Sequence, residues 1–106
     1  MIRFDVIWTI LSEAERQAIR DLCDALGIPS ARWSRVPRLR AFGVLAAAVR
    51  CVREAELTGR TREQALIETS VLLGLPVTTI DMSIRRAVEH AFRSSQMHRT
   101  VAVTAS

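Results

Sequence analysis

The chain has 106 residues, 49% of them hydrophobic and 25% charged. That is one domain's length, with enough apolar content for a core and too much for a disordered tail. Its net charge is +4, all 15 basic residues are arginine, and no apolar run nears the ~20 residues of a membrane span. The opening stretch carries Asp5 and lacks a long apolar segment ending in a small-residue cleavage site, so it does not read as a secretory signal, and a cytoplasmic location is expected.

Residues 2–10 alternate, with Ile2, Phe4, Val6, Trp8 and Ile10 on one face and Arg3, Asp5, Ile7 and Thr9 on the other. Period two predicts a β-strand with one apolar face. A lone strand needs a partner for its backbone groups. Two are available: the tail around residues 100–104, where Val101 and Val103 alternate, or the same strand of a second subunit. In the second case Phe4, Val6, Trp8 and Ile10 form the dimer interface. The alternative is that residues 2–10 form helix or loop packed on the core.

A helix is predicted over residues 12–26. Ser12 and Glu15 make a capping box, Ile19, Leu22, Cys23 and Leu26 form the apolar stripe, and Gly27 followed by Pro29 ends it. Residues 28–40 are a connector rich in arginine and proline. Arg32, Arg35, Arg38 and Arg40 cluster there around Trp33, either as phosphate contacts at a helix start or as a solvated loop with Trp33 tucked into the core. Pro37 suits the first turn of a helix over residues 38–57. That helix is apolar nearly all round, which predicts the buried centre of the domain. Gly43 within it implies a close approach by another element.

Thr61 and Gln64 form a second capping box and start a helix over residues 62–73. After Gly74-Leu75-Pro76, a third box of Thr78 and Asp81 opens a helix over residues 78–94. Ile80, Ile84, Val88, Ala91 and Phe92 face inward. Residues 95–106 read as a loose tail or a short strand. The whole is one domain of class mainly α: four helices and a short N-terminal strand.

Residues 61–87 carry the functional signal. A helix ending in Leu73-Gly74, a short turn, and a second helix with Ile80 and Ile84 at its inner face resemble the helix-turn-helix of small bacterial and phage DNA-binding regulators. Ser70 supplies the small residue four before the glycine, and the helix over residues 38–57 would be the first of the trihelical unit. Pro76 stands where that family often has serine. The resemblance implies that Thr78, Asp81, Met82 and Arg85 face the bases of double-stranded DNA. Arg85 would fork onto guanine and Met82 touch a thymine methyl; Asp81 either accepts from a cytosine amine or only completes the cap. Arg62 and Arg86 would meet phosphates. It also implies a homodimer on a two-fold operator. The order strand, helix, helix resembles ribbon-helix-helix repressors as well, where Arg3, Asp5, Ile7 and Thr9 would be the reading face.

The charge is uneven. Residues 28–60 hold seven arginines against two acids; the remainder holds eight against nine. Phosphate contact is thereby expected at the connector rather than at the helix that would read bases. Asp81 and Met82 on the exposed face and the net negative residues 1–27 fit a second reading, a protein-binding module such as an adaptor, anti-activator or phage inhibitor. No nucleophile elbow or phosphate loop is present, so no enzyme is expected. Cys23, Cys51, His90 and His98 lack metal-ligand spacing, and no metal or other cofactor is implied. The two cysteines read as buried thiols, with a disulfide between them left open.

Overall fold

The computed structural model describes residues 1–105, and the side chains of residues 1–95. In chain order it has α1 (Phe4–Ile10), α2 (Glu13–Leu26), a 3-10 helix (Ser30–Arg35), α3 (Pro37–Leu57), α4 (Arg62–Leu73) and α5 (Val77–Ala105). Among the described residues there is no strand.

The expected N-terminal strand is therefore a helix. Ile7 is fully buried and Leu11 nearly so. The strand pattern had put Ile7 on the polar face. Phe4, Ile7 and Leu11 are spaced by three and four, which gathers them on one side of a helix. A helix also bonds most of its own backbone, so the need for a strand partner disappears. The last-turn carbonyls that a helix leaves open are taken by arginines. Arg16 donates to the Trp8 and Thr9 carbonyls, each at 2.9 Å, and Arg50 donates to the Ile10 carbonyl at 2.7 Å.

Phe4, Val6, Trp8 and Ile10, expected across a dimer, are half-buried and pack against this chain's own core. Phe4 meets the Trp33 ring edge-on at 5.8 Å between centroids, and Trp8 meets it at 5.7 Å. The tail expectation changes too. The backbone of α5 is helical through Ala105, so residues 95–105 form neither a loose tail nor a strand.

The helix boundaries follow the caps. At α2, Ser12 accepts from the Glu15 amide at 3.1 Å and the Glu15 carboxylate takes the Ser12 amide at 2.7 Å. Thr61 and Gln64 do the same for α4 at 3.2 and 3.1 Å. Gly27 and Gly74 close α2 and α4 in the left-handed conformation, each with φ 69°. The third box does not form. α5 starts at Val77, one residue before Thr78, and Asp81 turns to Arg85.

α3 is the central helix, as its sequence predicts. Leu39, Gly43, Ala47, Ala48 and Val52 are buried. α1, the 3-10 helix, α4 and α5 all pack against it, and α1 also touches α4. The close approach at Gly43 comes from the Trp33 ring. Cys23 is buried, Cys51 is half-buried, and both thiols are free.

Candidate nucleic-acid interface

α4 and α5 are joined by three residues, and the chain bends by 111° between them. The sequence builds this corner in steps. Gly74 adopts the left-handed conformation, and its amide donates to the Ser70 carbonyl at 3.0 Å. The Leu75 amide donates to the same carbonyl at 3.1 Å, and the Ser70 hydroxyl donates to the Leu75 carbonyl. A side chain without a hydroxyl at position 70, such as alanine, would lose that last bond. Leu73, Leu75, Ile80 and Ile84 are all buried, and they hold α5 on α3 and α4. The amino end meets the same corner, where the Arg3 amide donates to the Leu73 carbonyl at 2.9 Å.

This packing decides which side of α5 faces solvent. Thr78, Met82, Arg85 and Arg86 are exposed and Asp81 is half-buried. The first three project from one outer face. Arg85 is not a free guanidinium, since Asp81 holds it at 3.0 Å one helical turn away. A pair on an exposed helix face is worth only about 0.3–0.5 kcal/mol, so Arg85 stays available to a stronger anion. Arg62 is likewise engaged, at 2.8 Å from Glu56.

Arg86 is placed differently. It lines a groove of about 410 Å³ together with Thr79 and Ser83 of α5 and with Pro37 and Arg40 of α3. Position 86 follows 79 and 83 at helical spacing, so one flank of α5 carries two hydroxyls and a guanidinium toward the start of α3. Arg40 and Arg86 have no acidic partner among the described residues. The connector surplus and α5 thus share a groove through Arg40. The remaining connector arginines, Arg32, Arg35 and Arg38, are exposed and also lack acidic partners among the described residues. Trp33 does not join them. It is 5% exposed and belongs to the core.

Five other arginines have structural partners. Arg16 and Arg20 pair with Glu13, Arg50 with Glu15, Arg60 with Glu68, and Arg62 with Glu56. Arg20 also lies over the Trp8 ring, 5.5 Å from its centroid. Spacing alone could not separate these from the unpaired set, because most of the pairs join separate elements or residues more than a helical turn apart.

Among the described residues no group of three metal-ligating side chains comes together, and no buried side-chain nitrogen or oxygen lacks a hydrogen bond. Burial, with Glu54 adding to it, pushes the Cys51 thiol above its ordinary range, which leaves it protonated and a poor nucleophile. No single helix among the described residues is long and apolar enough to cross a membrane. Comparison of the chain with protein-family models, with curated proteins and with solved structures gave no match.

Proposed function

We propose that this protein binds double-stranded DNA through α4, its glycine turn and α5, as a small transcriptional regulator acting as a homodimer. The observation that carries the reading is the corner itself. A bend of 111° across a three-residue turn with a left-handed glycine falls within the roughly 90–120° of DNA-binding helix-turn-helix pairs. In this reading the first half of α5 lies in the major groove. Thr78 and Met82 meet base edges, Arg85 exchanges Asp81 for guanine, and Arg40 and Arg86 hold phosphate beside it.

Binding of labelled duplex DNA, measured between about 50 and 200 mM salt, tests this. The affinity should fall steeply, because each phosphate contact releases counterions. Arg40→Ala and Arg86→Ala should each weaken all sequences alike and lower the salt slope by about 1, whereas Arg85→Ala should cost about 1–3 kcal/mol on a preferred site only. Absence of binding at the lowest salt overturns the reading.

A second reading is a protein-binding module on the same scaffold. It is favoured by the exposed apolar residues Ile67 and Val71 on α4, beside the same corner, and by the Asp81 charge on the outer face of α5. Salt-insensitive capture of a protein by the wild type, lost in Val71→Glu, would select it.

A further inference from the structure

We infer that the middle of α5, around Val88 and Phe92, is a self-association ridge, and that it seats in a groove on α3 of a second copy of this chain. This does not depend on α5 reading DNA.

α5 has 29 residues, and among those whose side chains are described the cover ends after Ala87. Ile80 and Ile84 are buried at 0% and 7% exposure. The same helical stripe continues through Ala87, Val88, Ala91 and Phe92. Val88 and Phe92 are each 63% exposed. The stripe is therefore continuous in sequence but loses its cover partway along.

The uncovered stripe begins where an uncovered groove lies. A cleft of about 550 Å³ is lined by Phe42, Leu45, Ala46, Val49 and Leu57 of α3 and by Ala87 of α5. Leu57 at its end is 76% exposed. Scattered apolar side chains on a surface are ordinary, but a contiguous set this open marks an interface.

Charge identifies the occupant. Arg53 and Glu54 line the groove, while Glu89 and Arg93 flank the stripe on α5. None of the four has an ionic partner among the described residues. One surface thus carries both an apolar groove and an apolar ridge; Glu89 and Arg93 edge the ridge, and Arg53 and Glu54 edge the groove, whose other charged groups, Glu15 and Arg50, are paired with each other. A second copy supplies the complement to both at once, which is what a two-fold interface requires. Seating Val88 and Phe92 in the partner's groove brings Glu89 toward the partner's Arg53.

Sedimentation of the intact chain tests this. The wild type is expected to be a dimer at about 10 µM. Phe92→Glu and Leu57→Glu, both at exposed positions, should each weaken association by about tenfold or more with unchanged helical circular dichroism. Arg53→Glu and Glu89→Arg should each weaken it, and the double variant should associate more tightly than either. A monomeric wild type overturns the inference and leaves the face to a different protein. So does a dimer that survives both Phe92→Glu and Leu57→Glu, or a double charge reversal no tighter than the singles.

Discussion

The ring of Trp33 occupies the space that a side chain at Gly43 would fill. A β-carbon there would stand 2.6 Å from one ring carbon and 2.8 Å from the next. The ring is itself fixed by Phe4 and Trp8, so it cannot give way cheaply. Overpacking of this kind costs about 1–3 kcal/mol, against about 1 kcal/mol gained by replacing glycine with alanine inside a helix. Gly43→Ala is expected to lower stability in urea unfolding by up to about 2 kcal/mol. An increase in stability would mean that the ring moves freely.

Gly27 and Gly74 have the same φ of 69° but different surroundings. A β-carbon at Gly27 meets nothing within 4 Å, whereas one at Gly74 runs into the Met1 carbonyl and meets Arg3 Cγ at 3.3 Å. Alanine at either site carries the left-handed penalty of about 1–2 kcal/mol. Gly74→Ala should exceed Gly27→Ala by at least about 1 kcal/mol. Equal unfolding midpoints for the two variants would show that the amino end does not rest on the corner.

Glu15 links three elements: it caps its own α2 and accepts from Arg50 of α3 at 2.7 Å, while Arg50 also holds the end of α1. Burial pushes its carboxyl upward, but the bonds from Arg50 and the Ser12 amide outweigh this and hold it below the usual 4.5. The folded pKa is depressed, so the unfolded chain takes up the proton first as pH falls. The stabilisation is full above 4.5 and is lost as pH drops through the folded value. Glu15→Gln should therefore be less stable than the wild type at neutral pH, with the gap closing in acid. Glu13 is also held low by Arg20 and is common to both proteins, so only the difference between them reports on Glu15. A gap independent of pH would contradict this account.

Asp81 restrains Arg85 and adds a negative charge to the outer face of α5. Under the DNA reading, Asp81→Asn should tighten duplex binding and raise the salt slope by about 1, since one more guanidinium is free for phosphate. Anisotropy with a labelled duplex checks this. Weaker binding in Asp81→Asn would mean that the carboxylate itself accepts from a base.

What the sequence made legible was local. Capping boxes at Ser12 and Thr61, left-handed glycines at 27 and 74 and the buried centre at residues 38–57 depend on neighbours in the chain, and they stand in the structure. Residues 2–10 satisfy two periods at once. Alternation pointed to a strand, and only the burial of Ile7 and Leu11 under α3 and α4 selects the helix. The Arg40–Arg86 groove joins residues 46 positions apart, so no spacing rule reaches it. Likewise, which arginines stay unpaired depends on where acids of other elements come to rest.

Both tryptophans of the chain stand 5.7 Å apart at the seam of α1, the 3-10 helix and α3, and there is no tyrosine. Intrinsic fluorescence is consequently a single-address signal. It follows the loosening of that seam, and no tryptophan stands in α4 or α5. Paired with circular dichroism, which sums over every helix, the signal tells whether that seam opens together with the rest of the helices or before them.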